Sequence, residues 1–169
     1  DTNETSWSGA YTGPPVGTLS AIAIGSDGMP LIAYMAFPPG AGYIGNIRST
    51  TSFSMLKVAH CENIERTTFN TYVVDDSSWA GKNPEIIIGA DGLGVIWYRG
   101  EDNVLKMAHC DNGQCSSAAR SDVAFKLISG EASANPSQWS ISNESNGFPV
   151  IKYQQWGIKL IFCENQLCN

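Results

Sequence analysis

The chain has 169 residues, 43% hydrophobic and 15% charged, a composition that folds rather than stays disordered. Its net charge of −6 lacks the basic footprint of a nucleic-acid binder, and no apolar run approaches the ~20 residues of a membrane span. Seventeen Gly and eight Pro argue against a helical bundle and for an all-β chain rich in turns.

The chain opens at Asp1 with no initiator Met, which predicts a processed mature protein or a trimmed chain. Asn3-Glu4-Thr5 and, far downstream, Asn143-Glu144-Ser145 are glycosylation sequons, meaningful only in a eukaryotic secretory host. From residue 14 on, three segments align. In the first, Ala21–Ile24 leads through Ser26-Asp27-Gly28 to Pro30-Leu31-Ile32-Ala33-Tyr34, and then to Leu56-Lys57-Val58-Ala59-His60-Cys61. In the second, Ile86-Ile87-Ile88 leads through Asp91-Gly92 to Gly94-Val95-Ile96-Trp97-Tyr98, and then to Leu105-Lys106-Met107-Ala108-His109-Cys110. In the third, Trp139-Ser140-Ile141 leads through Asn146-Gly147 to Pro149-Val150-Ile151-Lys152-Tyr153, and then to Ile158–Cys163. Cys61, Cys110 and Cys163 recur at intervals of 49 and 53 residues. Asp27 and Asp91 are 64 apart, so the first repeat carries an insertion of 15 between its second and third strands, within 36–54.

Each repeat predicts an antiparallel meander a-b-c-d. Asp-Gly and Asn-Gly between apolar runs are strong hairpin signals, supplying positive φ. Alternation along Leu56–Cys61 and its copies predicts strand c. A fourth strand d is expected over Thr67–Asp75 and over Val123–Ile128. The latter also reads as a short helix, since Val123 and Leu127 are four apart. The chain stops where the third strand d is due. The predicted fold is therefore all-β, with three blade-like repeats over about 14–75, 79–128 and 134–169.

Repeats of this length with four strands are the signature of propeller blades. The strings IAIGSDGMPLIAY, LKVAHC, IIIGADGLGVIWY and LKMAHC resemble the repeat of secreted bacterial β-propeller proteins of the broadly sialidase-like (BNR-like) kind. The resemblance implies a propeller and no catalytic assignment. Three blades are too few for a ring, because small rings have about four. Open strand edges invite pairing with another chain. A homodimer forming a six-bladed ring, with residues 1–17 supplying an outer strand, is the first expectation. Assembly with another chain or into a filament is the second, and a monomeric β-sandwich the third.

Five cysteines form two C-x4-C pairs and a remainder. Cys110–Cys115 and Cys163–Cys168 predict two local disulfides, with independent thiols or a zinc site as weaker readings. Cys61 is the odd thiol, either buried and free or bridged to another chain. Disulfides place the protein outside the cytoplasm: secreted, periplasmic or at the cell surface.

His60 and His109 take a position that is Phe162 in the third copy, which reads as packing rather than a catalytic base. Glu101 and Asp102 read as a solvated turn; a glycoside hydrolase would need two separated carboxylates. The irregular sequence collects on the face of the b–c and d–a connections, where binding is expected. The candidate ligand-binding residues are Tyr43, Trp79, Arg99, Glu101, Gln154 and Trp156, with Trp7 and Trp79 alternatively repeat-related packing. No metal and no cofactor are expected. The function so read is a secreted, non-catalytic, lectin-like module that binds a glycan or a protein partner. The alternatives are a structural subunit of an extracellular assembly and a sialidase-like hydrolase.

Overall fold

A computed structural model describes residues 19–37, 54–63, 65, 67–101, 104–121, 139–154, 157–166 and 168. These form eleven strands and no helix. The first sheet is β1 (Ser20–Ile24), β2 (Pro30–Ala36), β3 (Met55–Cys61) and β4 (Phe69–Asp75). The second is β5 (Lys82–Ile88), β6 (Gly94–Arg99), β7 (Leu105–Cys110) and β8 (Ala118–Ser121). The third is β9 (Trp139–Asn143), β10 (Pro149–Gln154) and β11 (Ile158–Phe162). All neighbours are antiparallel and follow chain order, and the sheets do not close on themselves.

The hairpin turns are alike in all three repeats. Gly28, Gly92 and Gly147 have φ near +80°, which closes a type I turn with a glycine bulge. The residue before each glycine works differently from the sequence expectation. Asp27, Asp91 and Asn146 do not take positive φ. Each instead accepts the amide N–H two residues on, of Met29, Leu93 or Phe148, at 2.8–3.1 Å.

Register decides which side chains face which sheet. Ala21, Ala23, Leu31, Ala33, Leu56 and Val58 of the first sheet meet Ile86, Ile96, Tyr98 and Ala108 of the second in one core. The opposite face of the second sheet carries Val95, Trp97, Leu105 and Met107, which meet Ile151, Tyr153, Ile161 and Ile141 of the third. The second sheet thus lies between two others, which is why β6 is buried along its whole length and is apolar up to Arg99 at its end. Each fully buried large apolar side chain contributes roughly 1.5–3 kcal/mol relative to exposure.

Strand d of the second repeat is β8, starting at Ala118, earlier than the expected Val123. The Cys110–Cys115 loop is a tight turn, and Asp111 N–H already donates to Ser117 O, so pairing resumes at once. The stretch 123–128, the insertion core 38–53, and residues 1–17 lie outside the described residues.

Both predicted disulfides are present, and Cys61 is buried and free. The loops share more than their cysteines. Asn112 clamps its loop by bonding Ser116 through both side chain and backbone, and Asn63 does the same with Thr67 in the first repeat, where no disulfide exists. Two disulfides are compatible with an oxidising compartment, and no described helix is long and apolar enough to cross a membrane.

Candidate functional site

The b–c and d–a end of the sheets is where the first strands begin. Ser20, Pro84 and Trp139 hold the same repeat position there. Between them lies a pocket of about 370 Å3, lined by Leu19, Ser20, Asn83, Pro84, Glu85, Arg99 and Trp139. A break in the β5–β6 ladder between Lys82 and Glu85 opens one wall. Asn83 sits in this break at φ 47°, and Pro84 beside it donates nothing to the ladder.

Arg99 occupies the end of β6, at the place of Met35 in the first repeat and Gln154 in the third. Among the described residues this makes it a charged group at a core-type position, 8% exposed. Its guanidinium stacks on the Trp139 ring at 4.3 Å, joining the second sheet to the third. Its Nε and one terminal nitrogen are buried with no hydrogen-bond partner, and so is the Trp97 indole nitrogen on the same strand face. Burial lowers the Arg99 pKa from the ordinary arginine value and pushes the Glu85 carboxyl above the ordinary glutamate value. No ion pair joins Arg99 to Glu85. The pocket is therefore bordered by a buried cation with unpartnered donors and by a carboxyl whose pKa burial raises. An anionic or acceptor-rich ligand is what such a guanidinium would pair with.

Of the expected site residues, Arg99 alone is among the described residues that line the pocket. Trp79 lies on the connector from the first sheet to the second, at φ 60°, with the Lys82 ammonium 4.6 Å from its ring. That connector is held by Ala80 O accepting Ser54 Oγ at 2.8 Å, and Trp79 itself is half-buried. Glu101 is exposed on the turn after β6. Gln154 is the last residue of β10, while Tyr43 and Trp156 lie outside the described residues. Glu85, Asn83 and Trp139 were not anticipated. Their signal was positional: Asn83-Pro84 interrupts a strand, and an arginine stands where the first repeat has methionine.

The histidines have a repeated partner. His60 Nε2 bonds Asp27 Oδ2 at 2.8 Å, and His109 Nε2 lies 2.8 Å from Asp91 Oδ2 at an angle that makes no hydrogen bond. His60 Nδ1 also meets Glu62 at 3.3 Å. Each pair sets strand c beside the a–b turn, at the end away from the pocket, and the His60–Asp27 pair ties the two by a hydrogen bond. No group of three or more metal-ligating side chains occurs among the described residues. Asn143, in a sequon, donates its amide to Ile88 O at 2.6 Å across the second and third sheets.

The chain matches no family model, no curated protein and no solved structure.

Proposed function

We propose that the protein is a non-catalytic binding module of propeller-type repeats, working outside the cell, that takes a carboxylate-bearing glycan in the Arg99 pocket. The observation that carries this reading is the buried Arg99 guanidinium with two nitrogens unpartnered. Unpaired buried donors cost about 1–3 kcal/mol, so a ligand that supplies acceptors recovers what the free protein forgoes. A carboxylate satisfies two such donors in one plane. Ring hydroxyls of a sugar match Asn83 and the Glu85 carboxyl, and the Trp139 ring offers an apolar wall. Hydrolysis asks for a pair of carboxyl groups facing one bond, and Glu85 is the one acid among the described lining residues.

The test is calorimetry on a panel of matched acidic and neutral oligosaccharides. Binding of the acidic members, with a ten- to hundredfold loss in Arg99→Met, is expected; such a loss is about 1.5–3 kcal/mol for a charged hydrogen bond. Failure of every acidic sugar to bind, or equal binding by the variant, defeats the reading.

The assembly-subunit reading has its own observation, the uncovered faces of the outer two sheets.

A further inference from the structure

The three sheets stack by one rule, and both ends of the stack are unfinished. On the trailing face of strand c, Leu56 and Val58 are fully buried by the second sheet, and Leu105 and Met107 are buried by the third. The same positions on β11 are Ile158, Leu160 and Phe162, exposed at 72%, 54% and 61%. On the leading face of strand a, Ile86 is buried against the first sheet and Ile141 packs into the core shared with the second. The same position on β1 is Ile22, exposed at 61%, with Ile24 beside it at 55%.

The turns repeat the asymmetry. A Cβ on Gly92 would come 3.2 Å from Ser26 of the preceding turn, and one on Gly147 would collide with Ala90 of its preceding turn. At Gly28 nothing lies within 4 Å. Ser26, Ala90 and Ser145 hold one repeat position. Each sheet thus seats its turn glycine on the small residue of the turn before it, and the first sheet has nothing to seat on.

We infer that the third sheet of one chain stacks on the first sheet of a second copy, by the same contact that joins successive sheets within the chain. Ile158, Leu160 and Phe162 of one copy then cover Ile22 and Ile24 of the other, and Gly28 sits on the other copy's Ser145. The two uncovered faces are complementary because each is one half of an interface already built twice in the chain. A second copy carries both halves; an unrelated partner would have to imitate one. The contact is head to tail, so it closes only when the last sheet reaches the first. Two copies give six sheets, within the span of about four to eight that rings of this kind use. The inference does not depend on the pocket or its ligand.

Light scattering across a dilution series is expected to give twice the mass of one chain. Ile22→Asp and Leu160→Asp, both at exposed positions, are each expected to raise the dissociation constant about 30-fold or more, the cost of losing a hot-spot residue. Mixing the two variants decides the geometry. The intact third sheet of Ile22→Asp meets the intact first sheet of Leu160→Asp, so the mixture forms a one-to-one complex that neither variant forms alone. A strictly monomeric wild type overturns the inference. So does a dimer that only one variant disrupts, because that means like faces pair. Unchanged circular dichroism and melting of the isolated variants under monomeric conditions show that the fold survived. A lowered melting temperature there means that the chain's own residues cover the face, and also overturns it.

Discussion

Asp75 ends β4 with 1% of its surface exposed, yet it is among the most connected side chains of the protein. It accepts the Tyr98 hydroxyl at 2.7 Å, the Arg120 guanidinium at 2.8 Å, the Lys106 ammonium at 3.3 Å and the Ser77 N–H at 2.9 Å. Three of these donors belong to the second sheet, so one carboxylate knots two sheets together. Burial pushes its pKa up, but the Tyr98 hydroxyl, the Ser77 groups and Lys106 outweigh that and hold it below the ordinary aspartate value. A depressed folded pKa gives stability above the unfolded pKa that fades as pH falls through the folded one. Asp75→Asn is expected to cost about 3 kcal/mol at neutral pH, the low end for breaking a buried pair, because Lys106 and Arg120 still reach solvent. Its unfolding free energy should also vary less than wild type below the aspartate range, measured by urea titration at several pH values. Arg99→Met should behave oppositely. It loses stacking worth about 0.5–2 kcal/mol but removes unpaired donors costing about 1–3 kcal/mol. Its melting temperature should hold or rise, and a marked fall would show that Arg99 serves the fold. Nothing in the one-dimensional order of residues tells Asp75 from any other strand-end acid, or Arg99 from a solvated one. Both acquire meaning from neighbours 23 to 45 positions away.

At the scale of elements, the meanders were legible because each strand carries its own pattern and each turn its own chemistry. The Cys110–Cys115 and Cys163–Cys168 bridges were legible because the spacing is local and occurs twice. The onset of β8 was not, because a pattern of apolar residues says nothing about how soon a loop closes. The asparagine clamp was also missed, although Asn63, Asn112 and Asn165 stand two residues after each first cysteine. It lets the first loop keep its shape without a bridge. Asn63→Ala should therefore cost about 1–2 kcal/mol, the worth of its two hydrogen bonds. Asn112→Ala should cost less, since the disulfide still closes that loop. Removing the Cys110–Cys115 bridge by double serine substitution should cost about 2 kcal/mol in the loop-entropy picture. Thermal melts of the three variants rank them.

For the whole molecule, the sequence repeat implied stacked units but not which faces stay bare. That follows only from register: Ile22 and Ala23 differ by one residue and look to opposite sides of the sheet. The pocket is a property of the same scale. No single repeat contains it, since its walls come from the starts of β1, β5 and β9 and the end of β6. If copies associate, the melting temperature should climb with protein concentration, and dilution should abolish the increment. Gly147→Ala should destabilise the chain more than Gly28→Ala under dilute conditions, because both strain the turn but only Gly147 abuts another turn.

Cys61 gives this architecture a clock. Four of the five thiols are locked in bridges, and the fifth is buried in the first sheet, where β3 passes toward its asparagine-clamped loop. A thiol-modifying reagent that does not reduce disulfides therefore has one site to attack, and reaches it only when that sheet opens. Labelling rates in native buffer time that opening without any engineered probe. Compared with global unfolding, they tell whether the chain comes apart all at once or sheds its sheets in turn.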